Sequence, residues 1–312
     1  MCVVLRVSVA IITRNRSSLL AKCLRALSKQ SSAPLEILVV DNNSTDGTAA
    51  VCNKYRKILP INYALEHRIG IPFARNVCIS KARGEIIAFL DDDSVPTKTW
   101  LTAIANHFQQ NTSSVGLIGK TNNANPKNIA SAVEQLHTLL WLRRNIANLS
   151  KTCLVSSGQV VDFKNAAFKA FFIKNFKMST TVPFGDVGNN EDLELGHRFY
   201  QKTRWIYWDP SVVTYHNNSR TLFRLLYRNF WEGFANQLLI YQFGINTKRA
   251  PLKYNYLRLL LDSWKQQKKA FGFGRVTMLF LLLIVYPLFS RFGKAVFVLS
   301  SLFHLHITIP QR

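Results

Sequence analysis

Acidic residues are scarce in this sequence of 312 residues. Lysine and arginine together number 40 against 17 aspartates and glutamates, which gives a formal net charge of +23. A field of that sign attracts polyanions such as nucleic acid, anionic lipid head groups and phosphorylated substrates. Hydrophobic residues make up 48% of the chain, so a sizeable core can be buried and global disorder is excluded.

Cysteine is also sparse, and its spacing excludes the common zinc and disulfide frameworks. The five cysteines include no C-x-x-C pair, which predicts free thiols in a reducing compartment. A cleavable signal peptide is not expected, because Arg6 interrupts the first apolar stretch, which continues into a strand-like segment at 7–12. We therefore expect the bulk of the protein to lie in the cytoplasm.

An uninterrupted apolar run of about 20 residues, the length that a membrane-spanning helix needs, is missing. Two shorter runs, 276–290 and 295–309, are separated by Arg291 and Lys294 and follow a strongly basic segment. Such a basic flank is attracted to the anionic cytoplasmic leaflet of a membrane. We expect residues 221–312 to associate with the membrane, as a tilted span, a re-entrant hairpin or an interfacial helix, and a buried core helix is the alternative.

Strand and helix signals alternate over the first hundred residues. Such alternation predicts an α/β fold with a mostly parallel sheet flanked by helices, and polar residues after each strand that converge on one edge of the sheet. From 116 to 220 the pattern is mixed. The predicted strands are 7–12, 36–40, 61–65, 85–90, 115–118, 160–163 and 205–208, and the predicted helices are 19–27, 48–57, 73–81, 128–143 and 193–202.

Three consecutive aspartates, Asp91, Asp92 and Asp93, follow the fourth predicted strand. Their charges repel one another, and a strand end does not require them. A divalent cation would relieve the repulsion, since Mg²⁺ and Mn²⁺ prefer carboxylate oxygens together with substrate phosphates. A solvated acidic turn is the alternative, and the other polar residues expected at the same edge favour the cation.

Five motifs in a fixed order resemble one family. They are VSVAIITRNR at 7–16, EILVVDNNSTDG at 36–47, GIPFARN at 70–76, GEIIAFLDDD at 84–93 and NEDLEL at 190–195, the last followed by Arg198. Together they resemble the family-2 glycosyltransferases with the GT-A fold. The resemblance implies an enzyme that transfers a hexosyl group from a nucleotide diphosphate sugar with inversion. It also implies a mixed, mostly parallel sheet flanked by helices, with a nucleotide-sugar-binding half at 1–115 and an acceptor-binding half at 116–220. The basic and apolar helical tail at 221–312 lies beyond the resemblance and is expected from composition.

The resemblance also implies roles for single residues on the donor side. Thr13 would line the base pocket, and Asp41 would accept a hydrogen bond from the imide of a uracil or thymine ring. Arg75 would contact the base or a phosphate, and Asp91 would bind the ribose. Asp93 would coordinate Mn²⁺ or Mg²⁺ at the two phosphates.

Across the cleft, Asp192 would be the catalytic base, because an acceptor hydroxyl must lose its proton as it attacks the anomeric carbon. His216 matches a histidine that helps to hold the metal or the phosphate. The remaining candidates for substrate binding in the same motifs are Asn15, Asn43, Asp92, Glu191 and Arg198.

These expectations predict a glycosyltransferase at the cytoplasmic face of the cell membrane. Its partners would be a nucleotide-sugar donor, with UDP or dTDP favoured, and a lipid-linked or cell-envelope glycan acceptor. A nucleotidyltransferase that makes nucleotide sugars is disfavoured, because the segment after the first strand, TRNR at 13–16, is no glycine-rich phosphate loop. A nucleic-acid-binding protein is disfavoured too, since the positive charge concentrates near the apolar tail.

Overall fold

The computed structural model describes most of the chain. The described residues are 5–157, 161–180, 191–218, 221–243, 285 and 288–298. They form two compact units. The residues 5–122, 146–157, 161–180 and 191–216 belong to the first, and 123–145, 217–218, 221–243, 285 and 288–298 belong to the second. Both the predicted donor half and the predicted acceptor half contribute to the first unit.

Within the described residues, nine strands join one sheet and eight helices accompany them. The strands are β1 (Val7–Thr13), β2 (Glu36–Asp41), β3 (Ile61–Leu65), β4 (Ile86–Leu90), β5 (Ser94–Pro96), β6 (Gly116–Asn123), β7 (Cys153–Leu154), β8 (Asn165–Lys169) and β9 (Ile206–His216). The helices are α1 (Ser17–Leu27), α2 (Thr48–Tyr55), α3 (Ile71–Lys81), α4 (Trp100–Gln110), α5 (Ile129–Asn145), α6 (Ala170–Ile173), α7 (Glu191–Lys202) and α8 (Leu222–Phe243).

The sheet is parallel in one part and antiparallel in the other. Its order is β3-β2-β1-β4-β8-β6-β9-β5, with β7 paired to β9. The first four strands are parallel to one another, whereas the recorded pairings of β8, β5 and β7 are antiparallel. The sheet is therefore mixed, as expected, but it is parallel only in its first half and not over most of its strands.

Several strands differ from the predictions: β5 and β7 were not predicted, and β6 extends to Asn123. The strand expected at 160–163 begins at Asn165 instead, and β9 runs on to His216. Asn165 is buried and fixed on several sides: its side chain accepts a hydrogen bond from the indole of Trp100 and donates to the carbonyls of Lys120 and Val212. Burial of an amide that is fully paired in this way fixes the start of β8 against its neighbours.

The core of the first unit lies between the parallel strands and their helices. Leu20, Leu24 and Leu27 of α1 are buried, and they belong to the same hydrophobic cluster as the strand residues Ile37 and Val39. Burial of these side chains supplies the main stabilising contribution to this half of the fold. The helices thereby hold the carboxyl ends of β1, β2 and β4 at one edge of the sheet.

In the second unit, α5 and α8 share a small apolar cluster that includes Val133 and Leu225. A further helical segment, 288–298, approaches α8 so closely that a Cβ atom on Gly233 would lie 2.0 Å from the backbone oxygen of Ser290. Glycine at this position is therefore required for the close backbone approach. Arg228 and Glu134 form an ion pair at 2.8 Å in the same unit.

Most of the expected membrane-associating segment lies outside the described residues, namely 244–284 and 299–312. Among the residues that the structure does describe, no helix combines the length and the apolar character needed to cross a membrane.

Candidate functional site

A group of three potential metal ligands forms where two chain segments meet in the sheet. Ser94 of β5 pairs with His216 at the end of β9, which brings the imidazole next to Asp93. The Nε2 atom of His216 lies 3.0 Å from Oδ1 of Asp93 and 3.7 Å from Oδ2 of Asp91. One ligand atom from each of these residues lies within 4.8 Å of the others.

This group, called the metal triad below (Asp91, Asp93 and His216), fits a divalent cation. Oδ1 of Asp93 is buried and accepts no hydrogen bond of good geometry from the described residues, although His216 lies close to it. The negative charge of this oxygen faces the imidazole of His216 at 3.0 Å, and a divalent cation between the two side chains could be bound by both. Two carboxylates with one imidazole form a donor set that suits Mn²⁺ and can also hold Mg²⁺.

Electrostatics at the metal triad favour a negatively charged Asp93. Burial alone would raise its pKa, but the imidazole of His216 and the guanidinium of Arg16 hold the pKa of Asp93 below its ordinary value. Burial likewise acts to lower the pKa of His216, yet the charge of Asp93 outweighs it and the pKa rises to about 10. The imidazolium thus supplies the positive charge that a bound cation would supply instead.

Asp92, the middle aspartate, is buried and does not belong to the metal triad. Its side chain accepts hydrogen bonds from the hydroxyl of Thr13 at 2.7 Å and from Arg16 at 2.9 Å. The same Arg16 nitrogen also contacts Asp93 at 3.1 Å. Burial raises the pKa of Asp92 to about 6, even though Arg16 opposes the shift. One nitrogen of Arg16 therefore contacts both Asp92 and Asp93.

Arg16 was not among the predicted site residues. Arg16 is the last residue of the polar segment 13–16 after β1, and this position was a signal that could have marked it. Its partners, Asp92 and Asp93, lie more than 70 positions away in the sequence. Periodicity and turn chemistry describe neighbours in sequence only, so this contact required the fold.

Asp41, the predicted base-binding residue, ends β2 and is 2% exposed. Its carboxylate accepts hydrogen bonds from the backbone N–H of Ser44 at 2.8 Å and from the hydroxyl of Tyr63 at 2.7 Å. Burial and this contact with Asp41 raise the pKa of the Tyr63 phenol. A carboxylate oxygen has a second lone pair, so Asp41 retains the capacity to accept from a ligand.

The loops around Asp41 adopt turn conformations that asparagine tolerates. Asn15 and Asn43 both have positive φ angles, 52° and 61°, a region in which asparagine is enriched. Asn15 accepts a hydrogen bond from the N–H of Thr45 at 2.8 Å, which joins the loop after β1 to the loop after β2. The two predicted substrate-binding asparagines therefore shape the same edge of the sheet.

Arg75 lies on α3, whose start is fixed by Asn42. The side chain of Asn42 accepts from the N–H of Gly70 at 2.8 Å, directly before the helix begins. Arg75 is 5% exposed, and its Nη1 atom contacts Asp192 at 2.5 Å and Glu191 at 3.4 Å. The resemblance implied a contact to the base or a phosphate, whereas the structure places Arg75 against the acidic pair at the start of α7.

Asp192 is held on both sides of its carboxylate. Oδ1 accepts from Arg75, and Oδ2 accepts from the backbone N–H of Phe163 at 3.2 Å. Burial raises the pKa of Asp192 to about 6, with Arg75 opposing the shift and Asp162 adding to it. Asp91 of the metal triad also contributes to this shift, which places the predicted base within electrostatic reach of the triad.

Glu191 and Arg198, the other candidates on α7, differ from Asp192 in exposure and partners. Glu191 is 1% exposed, and burial together with the charge of Asp192 raises its pKa to about 8. It therefore holds a proton near neutral pH and is a poor base there. Arg198 forms two hydrogen bonds to Glu194 one turn earlier on the helix, at 2.6 and 2.8 Å.

A family comparison identifies the chain. The model of glycosyl transferase family 2 matches residues 8–169, which is more than half of the sequence. The chain belongs to glycosyl transferase family 2. The match spans β1 to β8, and therefore includes the loops that carry Asp41, Arg75 and the three aspartates.

Two curated relatives of this family-2 glycosyltransferase are similar over part of their length. Poly(ribitol-phosphate) beta-N-acetylglucosaminyltransferase TarS of Staphylococcus aureus is 34% identical over 118 residues, 36% of this chain and 21% of TarS. The GalNAc(5)-diNAcBac-PP-undecaprenol beta-1,3-glucosyltransferase of Campylobacter jejuni is 36% identical over 91 residues, 28% of this chain and 29% of that protein. Each match spans less than a third of the relative.

Solved structures agree over most of the chain at the level of the fold. The mannosyltransferase PcManGT of Pyrobaculum calidifontis, in complex with GDP-Man and Mn²⁺, matches with a TM-score of 0.60 at 16% identity, over 98% of this chain and 89% of PcManGT. TarS residues 1–349 in complex with UDP-GlcNAc matches with a TM-score of 0.57 at 17% identity, over 96% and 93%. The mixed sheet with flanking helices is thus the GT-A arrangement.

Proposed function

We propose that this family-2 glycosyltransferase moves a hexosyl group from a UDP- or dTDP-sugar to a hydroxyl of a lipid-linked or cell-envelope glycan, with inversion. The observation that carries the proposal is the grouping of Asp91, Asp93 and His216, together with the hydrogen bond from the N–H of Phe163, just before β8, to Asp192. One site in the first unit thereby combines a group that can hold a cation with a carboxylate that can accept a proton. Transfer from a nucleotide diphosphate sugar needs both groups.

The donor nucleoside would be bound by the edge of the sheet at β1 and β2. Asp41 would accept from the base imide, and Thr13, Asn15 and Asn43 would border the pocket. Asp41 is rigidly held by Tyr63 and Ser44, so little conformational freedom is lost when a base binds.

Asp91, Asp93 and His216 are the residues that would hold Mn²⁺ or Mg²⁺. A bound cation supplies neutralisation of the diphosphate as its negative charge increases during bond cleavage. Support for this assignment comes from the buried Oδ1 of Asp93 and from the presence of Mn²⁺ in the complex of the similar PcManGT.

Asp192 would accept the proton of the acceptor hydroxyl. As the acceptor oxygen bonds to the anomeric carbon, the bond from that carbon to the phosphate oxygen breaks, and its electron pair leaves with the nucleotide diphosphate. Arg75 favours the ionised form of Asp192 that this step needs. Attack from the face opposite the leaving group inverts the anomeric centre.

The acceptor class and the location are proposed from similarity and from the basic tail. The curated relatives act on poly(ribitol-phosphate) and on a diphosphate-linked undecaprenol glycan, by their names. An acceptor at the cytoplasmic face of the cell membrane would suit a chain with a net charge of +23.

A donor screen tests the proposal. The purified chain is incubated with UDP-, dTDP- and GDP-sugars in the presence of Mn²⁺ or Mg²⁺, with and without lipid-linked acceptors, and release of nucleotide diphosphate is measured. We expect release with a UDP- or dTDP-sugar and none from the Asp192→Asn variant. Release from a GDP-sugar alone would contradict the donor assignment. Pyrophosphate release from a nucleoside triphosphate and a sugar phosphate would identify a nucleotidyltransferase instead.

A further inference from the structure

Lys164 enters the site through the register of two antiparallel strands. β4 and β8 pair so that Leu90 lies opposite Asn165. Asp91 directly follows Leu90 at the end of β4, and Lys164 directly precedes Asn165 at the start of β8. The sheet itself therefore brings this lysine beside the metal triad.

Both neighbours of Lys164 in the chain are anchored. Asn165 is buried and hydrogen bonded to Trp100 and to two carbonyls, and the N–H of Phe163 donates to Asp192. The ring of Phe163 also lies under the guanidinium of Arg75, at 4.7 Å. The backbone on both sides of Lys164 is thus fixed, by Asn165 within the sheet and by Phe163 next to the proposed base.

The ammonium of Lys164 already interacts with the charged groups of the site. Its Nζ atom lies 3.1 Å from Oδ2 of Asp162, and each of the two side chains is 21% exposed. Its charge contributes to the lowered pKa of Asp93 and opposes protonation of His216. A lysine at the boundary with solvent and within reach of the triad is placed to meet an anion that binds there.

We propose that Lys164 binds the diphosphate of the nucleotide-sugar donor and stabilises the charge that develops on the leaving nucleotide diphosphate. This inference rests on the proposed function. When the bond between the anomeric carbon and the phosphate oxygen breaks, the electron pair remains on that oxygen and its negative charge increases. The ammonium donates a hydrogen bond to the phosphate and keeps its proton, which makes the contact charge-assisted.

Binding of nucleotides without turnover isolates this role. The dissociation constants of UDP and UMP are measured by calorimetry with Mn²⁺ present for the wild type, Lys164→Met and Lys164→Arg. The same comparison of dissociation constants is made for dTDP with dTMP and for GDP with GMP. We expect Lys164→Met to weaken diphosphate binding by about 10- to 100-fold, the usual contribution of a hydrogen bond between charged groups. Monophosphate binding should change little, and Lys164→Arg should recover most of the loss.

Two further variants separate this role from a structural one. Lys169→Met removes a lysine at the other end of β8, which contacts the carbonyl of Thr112, and it should leave the preference for diphosphates unchanged. Asp162→Asn removes the ionic partner of Lys164 and should retain diphosphate affinity. If Asp162→Asn reproduces the loss seen in Lys164→Met, Lys164 acts only by holding Asp162 and the inference is overturned.

The outcomes distinguish this inference from the function on which it rests. A wild type that binds UDP while Lys164→Met binds it equally well overturns the inference alone. The inference is also overturned if Lys164→Met weakens the binding of UDP and of UMP equally, because the lost affinity would then not depend on the second phosphate. A wild type that binds no nucleoside diphosphate and releases none from any donor overturns the proposed function and this inference together.

Discussion

Arg75 and Asp192 form a buried ion pair in which Nη1 of the arginine lies 2.5 Å from Oδ1 of the aspartate. The two residues come from helices far apart in the chain, α3 and α7. Burial pushes the Asp192 carboxyl towards its neutral form and Arg75 pushes it back. The balance leaves a pKa of about 6, so most of this carboxyl is ionised at neutral pH.

The pH dependence of kcat should therefore reflect the pKa of Asp192, which depends on Arg75. A base must be ionised, so kcat should fall as the pH drops through about 6. Arg75→Met removes the influence that lowers the pKa of Asp192, so the acidic limb of the kcat profile should move to higher pH. The profile is measured from about pH 5 to about pH 9. An unchanged limb in Arg75→Met would mean that another group is the base.

Metal binding should depend on one aspartate of the three and not on its neighbour. Asp93→Asn removes a charged ligand of the metal triad, so Mn²⁺ binding by calorimetry should be lost and activity should fall by several orders of magnitude. Asp92→Asn is the matched control, because Asp92 contacts Thr13 and Arg16 instead, and it should retain Mn²⁺ binding. Full activity of the wild type in EDTA would contradict the assignment of a metal.

Replacement of Asp41 and replacement of Asp192 should change different kinetic constants. Asp41→Ala removes a contact remote from the reacting bond, so it should mainly raise the KM for the donor. Asp192→Asn keeps the shape but cannot accept a proton, and it should lower kcat by about 10²- to 10⁴-fold. Donor binding by Asp192→Asn, measured by calorimetry with Mn²⁺, should stay near the wild-type value. Loss of donor binding in Asp192→Asn would mean that Asp192 contributes to binding the donor.

Glu191 should make the folded state less stable as the pH rises. Its pKa in the folded protein, about 8, lies above the ordinary value of 4.5, so the folded state binds a proton that the unfolded state releases between these values. The contribution of Glu191 to stability is fully present below about pH 4.5 and is lost as the pH rises through about 8. Glu191→Gln removes this dependence, so its Tm relative to the wild type should increase across that interval. A constant difference in Tm would contradict the raised pKa.

Membrane association through residues 221–312 can be tested on the whole chain. At low salt, the protein should float with vesicles that contain anionic lipid. A smaller fraction should float with vesicles of zwitterionic lipid, because the basic segment binds anionic head groups. Removal of 276–312 should release the chain into the soluble fraction or leave a salt-sensitive remainder. The proposed location would be contradicted if the full-length chain stays in solution without detergent and binds to neither kind of vesicle.

The sequence by itself determined the family and the alternation of strands and helices in the first hundred residues. Local signals suffice there, because β1, β2 and β4 are short apolar runs that end in polar turns, and hydrophobic periodicity depends on neighbouring residues only. The motifs also marked Asp93 and His216 as metal ligands and Asp91 as a contact to the ribose. The grouping of Asp91 with the other two as a third potential ligand is a finding that the sequence pattern could not supply.

Only the tertiary structure decided which side chains meet. The antiparallel register of β4 with β8 pairs Leu90 with Asn165, which are the chain neighbours of Asp91 and Lys164. The pairing of β5 with β9 puts His216 beside Asp93. The contacts of Arg16 with Asp92 and of Arg75 with Asp192 likewise join distant parts of the chain. Long-range register is fixed by packing of the whole sheet and by buried anchors such as Asn165, and neither leaves a periodic signal in the sequence.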